Sequence, residues 1–110
     1  MKLDRNIKSN NGEGKYALLL LRKVRAFPKS SIAAKEAHEC IMRLCEIGVL
    51  DFGRKPETEF FVVRLKDEHA LPALRAYAND AEEDDFEYAT EVRGLASRSG
   101  KYSAFCKKPD

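Results

Sequence analysis

Residues 31–67 carry the clearest pattern of apolar and polar positions in the chain. In the first half of this stretch, apolar side chains recur every three or four residues, as they do on one face of a helix. These side chains are Ala34, Ala37, Ile41, Leu44 and Cys45. Ser30 or Ser31 is expected to cap the amino end, and Gly48 stands where a helix commonly ends in a left-handed residue. The pattern therefore predicts an amphipathic helix that ends at Gly48.

Two stretches rich in valine, phenylalanine and leucine follow this helix, VLDFG at 49–53 and EFFVVRLKD at 59–67. The polar connection RKPET separates them, which predicts a short antiparallel β-hairpin. Alternation along the second strand would place two sets of side chains on opposite faces. The inner face, expected to pack on the helices, consists of Phe61, Val63 and Leu65. The outer face, which mixes apolar and basic groups, consists of Phe60, Val62, Arg64 and Lys66.

Three further helices are expected around this hairpin. The run YALLLLRKVRAF predicts a helix over 15–27, which Pro28 ends. Helical spacing predicts a helix over 70–81 and a last one, capped by Asp84 or Asp85, that ends at Gly100. The chain is thus predicted to be a single α+β domain, residues 1–110, with about four helices packed on a short antiparallel β-hairpin. A polar arm over 1–14 and an irregular basic tail over 101–110 are expected to flank it.

Composition and motifs argue against a membrane protein and against an enzyme. No apolar run approaches the roughly 18 residues of a transmembrane helix, and the polar amino terminus is unlike a signal peptide, so we expect a cytoplasmic protein. The segment GEGK at 12–15 lacks the spacing and the hydroxyl of a phosphate loop. His38 and His69 have no partner at metal-ligand spacing, and the three cysteines are expected to be reduced. We therefore expect no catalytic residue, metal or cofactor.

Charge is distributed unevenly along the chain. The net charge is +2, but residues 1–55 carry +6 and residues 56–110 carry −4. Such an asymmetry permits electrostatic steering of a partner without requiring one. The acidic side chains are densest before the last helix, at Glu82, Glu83, Asp84 and Asp85. The basic side chains are densest in the amino-terminal third, at Lys2, Arg5, Lys8, Lys15, Arg22, Lys23, Arg25 and Lys29.

A helix followed by a predicted hairpin also suggests a winged-helix, nucleic-acid-binding regulator. That fold needs a compact helix-turn-helix before the wing, and only the helix over 15–27 clearly precedes this one. The supposed recognition helix carries Lys35 and Arg43 against Glu36, Glu39 and Glu46, which is a poor surface for phosphate. The basic side chains gather instead in the amino-terminal third of the chain. Nucleic-acid binding through that third, by a winged-helix-like regulator, is the alternative function.

Short segments spread over most of the chain carry a resemblance to a known group of proteins. They are MKLDRN at the start, GKYALL at 14–19, EFFVVRLKD at 59–67, ALRAYA at 73–78 and CKKPD at the end. In these segments the chain resembles small uncharacterised proteins of bacteriophages and prophages. The resemblance implies a setting, a phage-type accessory protein inside a bacterial cell. That group has no assigned activity, so the resemblance implies no functional residue.

The sequence therefore predicts a non-enzymatic accessory protein that acts by binding another protein. It would either inhibit a host system or associate with itself. The outer face of the second predicted strand suits this role because an edge strand with outward apolar groups can pair with another chain. The residues expected to contact a protein partner are Phe60, Val62, Arg64, Lys66, Glu82, Glu83, Asp84 and Asp85.

Overall fold

The computed structural model describes residues 16–109, and their regular structure is helical. Four α-helices follow one another: α1 (Leu21–Ala26), α2 (Ile32–Glu46), α3 (Ala70–Ala81) and α4 (Phe86–Ala96), with a 3₁₀ turn at Gly100–Tyr102. The chain divides into two compact units. The first, Ala17–Phe61, holds α1 and α2, and the second includes residues 62–109 with α3 and α4.

The ends of α2 are defined by its own sequence. At the amino end, the Ser31 hydroxyl accepts a hydrogen bond from the amide of Ala34 at 3.1 Å and donates one to the carbonyl of Pro28. At the carboxyl end, Gly48 adopts a positive φ of 76°, and the amide of Val49 reaches back to the carbonyl of Leu44 at 2.9 Å. This is a Schellman ending, which a glycine permits without strain. The predicted helix, its serine cap and its glycine end are all present.

Ser31 rather than Ser30 is the cap, and this assignment is testable by substitution. Ser31→Ala should lower the free energy of unfolding by about 1 kcal/mol, because the amide of Ala34 loses its acceptor. Ser30→Ala is the matched control, since Ser30 is exposed and makes no side-chain hydrogen bond within residues 16–109. Urea unfolding followed by circular dichroism would compare the two variants. An equal loss in both would contradict the assignment.

The first unit covers the apolar face of α2 only in part. Ala34, Ala37, Ile41 and Cys45 are half-buried, as the helical spacing predicts, but Leu44 is exposed. No residue in Ala17–Phe61 is fully buried. Apolar burial is the main favourable term in folding, so this unit draws little stability from a core of its own.

The second unit has a compact helical core. Ala78 of α3 meets Ala89 and Val92 of α4, and the half-buried side chains of Leu74 and Tyr88 pack against them. Alanine on both helices permits a close approach of the two backbones. Asp85 begins α4 by accepting a hydrogen bond from the amide of Tyr88 at 3.0 Å. The short connection between α3 and α4 makes them neighbours, as in other helical hairpins.

The residues after α4 fold back on the segment before α3. The amide of Gly100 donates to the carbonyl of Leu65 at 2.8 Å, and the amide of Lys107 donates to the carbonyl of Lys66 at 2.9 Å. Asp67 and Lys107 form an isolated bridge. Gly100 has a φ of 54°, and a methyl group on it would lie 3.0 Å from Cβ of Leu71. This close approach requires glycine and fixes residues 65–68 to the carboxyl-terminal turn.

The predicted α+β fold is wrong, because residues 16–109 contain no β-strand. Neither 49–53 nor 59–67 pairs as a strand, so the predicted hairpin and the wing of a winged helix are both missing from these residues. The polar connection RKPET between the two stretches forms a local turn instead, in which the amide of Thr58 donates to the carbonyl of Lys55 at 3.0 Å. Strand-forming residues alone do not make a strand without a partner backbone for their hydrogen bonds. The predicted helix over 15–27 is also shorter, since α1 begins at Leu21.

Among the described residues, no helix combines the length and the apolar character required to cross a membrane.

Candidate protein-binding segment

Four consecutive large apolar side chains are exposed where the second strand was predicted. The relative accessibilities are 61% for Phe60, 90% for Phe61, 52% for Val62 and 39% for Val63. We call residues 60–63 the FFVV segment. Single exposed apolar side chains are common on protein surfaces, but a run of them commonly marks a contact surface. The four residues are consecutive, so the run is continuous along the chain, and the boundary between the two units falls after Phe61.

The backbone of this segment is also unpaired within residues 16–109. Residues 59–63 belong to no helix or strand, and no hydrogen bond to their amides or carbonyls is found in the described part of the chain. Phenylalanine and valine are among the residues most favoured in strands. A segment with strand-forming side chains and open amides and carbonyls can add to the edge of another sheet.

The amino end of the FFVV segment packs against a tight turn. Asp51 accepts a hydrogen bond from the amide of Gly53 at 2.7 Å, and Gly53 has a φ of 69°. A methyl group on Gly53 would lie 2.5 Å from the ring of Phe60, so the ring is pressed against the bare backbone. Phe60 is thus held by its own unit, whereas Phe61 points its ring into solvent.

The carboxyl end of the segment passes into an anchored stretch. The carbonyl of Arg64 accepts from the amide of Asp67, and the carbonyls of Leu65 and Lys66 accept from the carboxyl-terminal turn. The Arg64 side chain is exposed and that of Lys66 is half-buried. Arg64 therefore remains available beside the apolar run, while Lys66 contributes mainly to the second unit.

The four acidic residues predicted to meet a partner lie in the turn between α3 and α4. Glu82 forms an ion pair with Arg93 at 3.2 Å, and Asp85 caps α4. Glu83 and Asp84 are exposed. Glu82 and Asp85 therefore stabilise the pair of helices α3 and α4. The main structural role of this turn is to connect the two helices and to cap the second.

The basic residues predicted for nucleic acid are only partly described by the structure. Lys2, Arg5, Lys8 and Lys15 lie outside residues 16–109. Arg22, Lys23 and Arg25 lie on α1, and Lys29 lies in the loop before α2. The structure brings part of this set together around a groove of about 740 Å³ in the first unit. The residues that line it include Val24, Arg25, Phe27, Lys29, Ile32, Lys35 and His38.

Sequence reasoning missed several residues of that groove, among them Phe27 and two polar residues of α2. Lys35 and His38 lie on α2, and their participation depends on how α1 and the loop approach the start of α2. The spacing of three between them, which places both on neighbouring positions of one helix, was the available signal. Without the position of α1, nothing in the sequence connects them to Arg25 and Lys29.

A second groove, of about 560 Å³, lies on the helical pair of the second unit. Arg75, Asn79 and Arg93 line it together with Tyr102. The Arg93 guanidinium is fixed by the amide oxygen of Asn79 at 3.0 Å and by Glu82. These contacts join α3 to α4, so the groove is a product of helix packing.

The side chains of residues 16–109 do not form a cluster suited to hold a metal ion. No group of three or more histidine, cysteine or acidic side chains there is close enough to hold a metal ion. His69 lies 3.3 Å from its neighbour Glu68, and His38 lies in the basic groove. The three cysteines are unpaired thiols, with Cys45 half-buried in the face of α2.

Comparisons with known proteins provide no relative. No family model matches the chain, and no curated protein or solved structure matches it.

Proposed function

We propose that this chain is a non-enzymatic accessory protein that binds another protein through the FFVV segment. The observation that carries the proposal is the run of four exposed apolar side chains on a backbone that has no hydrogen-bond partner among residues 16–109. A partner strand would satisfy both features at once, by pairing with the backbone and covering the side chains. As part of the same proposal, the protein acts in the bacterial cytoplasm as the phage-type accessory protein that the resemblance implies.

Apolar contact alone would give a weak complex. Burying a phenylalanine or valine side chain contributes about 1.5–3 kcal/mol, so the already partly covered segment offers roughly 6 kcal/mol in all. Association costs at least about 4 kcal/mol in lost rigid-body freedom. Backbone hydrogen bonds, each worth about 0.5–1.5 kcal/mol, are therefore needed for micromolar affinity. This balance favours strand addition over contact of side chains alone.

The flanking charges supply direction to such a pairing. Glu59 precedes the segment and Arg64 follows it, and both side chains are exposed. Opposite charges at the two ends favour one orientation of a partner strand and penalise the reverse one. The partner strand we expect is therefore apolar at its centre and carries charges of opposite order at its ends.

Site-specific photocrosslinking tests the proposal. A benzophenone amino acid introduced at position 61 should yield a discrete covalent adduct in producing cells, since Phe61 is the most exposed member of the segment. The same amino acid at position 86 is the matched control. Phe86 is also exposed, at 65%, but its neighbours are Asp85 and Glu87. Mass spectrometry of the adduct would distinguish a second copy of this chain from a different protein.

A further substitution separates specific binding from accidental capture. Phe60→Ser, introduced into the protein that carries the benzophenone amino acid at position 61, should reduce the yield of the adduct at least fivefold. It removes a neighbouring apolar side chain that would contact the partner and leaves the crosslinking residue unchanged. Equal adduct yield from positions 61 and 86, or an adduct indifferent to Phe60→Ser, would overturn the proposal.

A further inference from the structure

One stretch of the first unit is basic without any acidic residue. Between residues 16 and 35 the chain carries five cationic side chains and no carboxylate. These are Arg22, Lys23, Arg25, Lys29 and Lys35. The next residue, Glu36, is the first acidic one. Such a run attracts polyanions at long range, and the attraction depends on salt.

The fold converts part of this run into a concave site. Arg25, Lys29 and Lys35 line one groove with His38, and none of the described residues that line it is acidic. In the described part of the chain, none of the three cations takes part in an ion pair. Phe27 also lines the groove and is 40% exposed, and Ile32 beside it is 75% exposed. The groove thus combines three cationic side chains with an aromatic ring that is partly open to solvent.

We propose that this groove binds single-stranded nucleic acid. Proteins that hold single strands without sequence preference combine a positive groove for the phosphates with aromatic rings on which bases stack. Arg25, Lys29 and Lys35 would contact the backbone, and Phe27 would stack with one base. A groove of about 740 Å³ accommodates a few nucleotides at most. This site lies within Ala17–Phe61 and shares no residue with the FFVV segment.

The charges on α2 argue against duplex DNA as the ligand. A helix that reads the major groove needs a largely basic or polar surface against two phosphate backbones. The exposed surface of α2 instead carries Glu36, Glu39 and Glu46. These carboxylates would repel a second strand, whereas a single strand can follow the groove beyond them.

The proposal predicts a definite salt dependence. Binding of a single strand through Z phosphates gives a slope of about −0.7Z in log affinity against log salt concentration. Three cationic contacts therefore predict a slope of about −2. Loss of two of them should reduce the slope to about −0.7, and loss of the stacked ring should lower the affinity without changing the slope.

Fluorescence anisotropy with the full chain and a labelled twelve-nucleotide oligothymidine tests these expectations. Lys29→Gln with Lys35→Gln should weaken binding at least tenfold and reduce the slope. The charge-matched control, Arg54→Gln with Lys55→Gln, removes two exposed cations of the same unit outside the groove and should change the affinity less than twofold. Phe27→Ala should weaken binding about tenfold, with Phe52→Ala as its control.

Three results would overturn the proposal. One is the absence of binding at low salt. Another is an equal loss in the groove variant and its charge-matched control. The third is an affinity for heparin equal to that for the oligonucleotide with no effect of Phe27→Ala, which would assign the groove to polyanions in general. A competing duplex of the same length should bind at least tenfold more weakly than the single strand.

Discussion

Replacing Leu71 with alanine is expected to lower the free energy of unfolding by about 2–4 kcal/mol. Leu71 lies in the first turn of α3, is only 5% exposed, and contacts the glycine turn that closes the second unit. The substitution removes buried methyl groups from the second unit and leaves a cavity in their place. Because this unit holds all the fully buried residues of the described chain, a loss there affects most of its stability.

Leu18→Ala is the matched control for this substitution. It deletes the same atoms from a side chain that is 64% exposed, so the expected change is within about 0.5 kcal/mol. Urea denaturation followed by the helical signal at 222 nm would give both values. A similar loss in the two variants would mean that Leu71 is not in the core.

The helices could be predicted because each carries local signals of its own. Ser31 and Gly48 bound α2, and Asp85 begins α4, through hydrogen bonds between near neighbours in sequence. Ala89, Val92 and Leu95 recur at helical spacing in α4, and all three are buried. These features depend on a few consecutive residues, so no knowledge of the tertiary structure is needed.

The prediction of the β-hairpin was wrong for the opposite reason. A strand depends on a partner elsewhere in the chain, and composition does not say whether that partner is present. EFFVVRLKD has the apolar and aromatic residues of a strand, but the turns at Asp51–Gly53 and Lys55–Thr58 close locally, and residues 59–63 have no backbone hydrogen bond within the described part of the chain. Within residues 16–109 its hydrogen bonds begin at Arg64, whose carbonyl accepts from the amide of Asp67, and the carbonyls of Leu65 and Lys66 accept from residues 100 and 107.

The candidate site was therefore predicted in part. Phe60 and Val62 were expected to be exposed because alternation in a strand placed them outward, and they are exposed. The same alternation assigned Phe61 to the core, although it is the most exposed of the four. The error follows from the assumed sheet, since an inner face exists only where something packs against it.

Amide hydrogen exchange across the FFVV segment is expected to differ from that of the helical pair by about three powers of ten or more. Amides in the middle of α3 and α4 exchange only when the second unit opens, so the free energy of unfolding protects them. The amides of residues 60–63 have no hydrogen-bond acceptor in the described chain and should exchange near the rate of an unstructured peptide.

This exchange experiment on the free chain at low concentration tests the central claim most directly, because it measures whether the backbone of the FFVV segment is open to a partner. We predict negligible protection at residues 60–63 beside strong protection in α3 and α4. Protection at residues 60–63 comparable to that in the two helices would show that the segment is already paired within the chain, and would contradict the account.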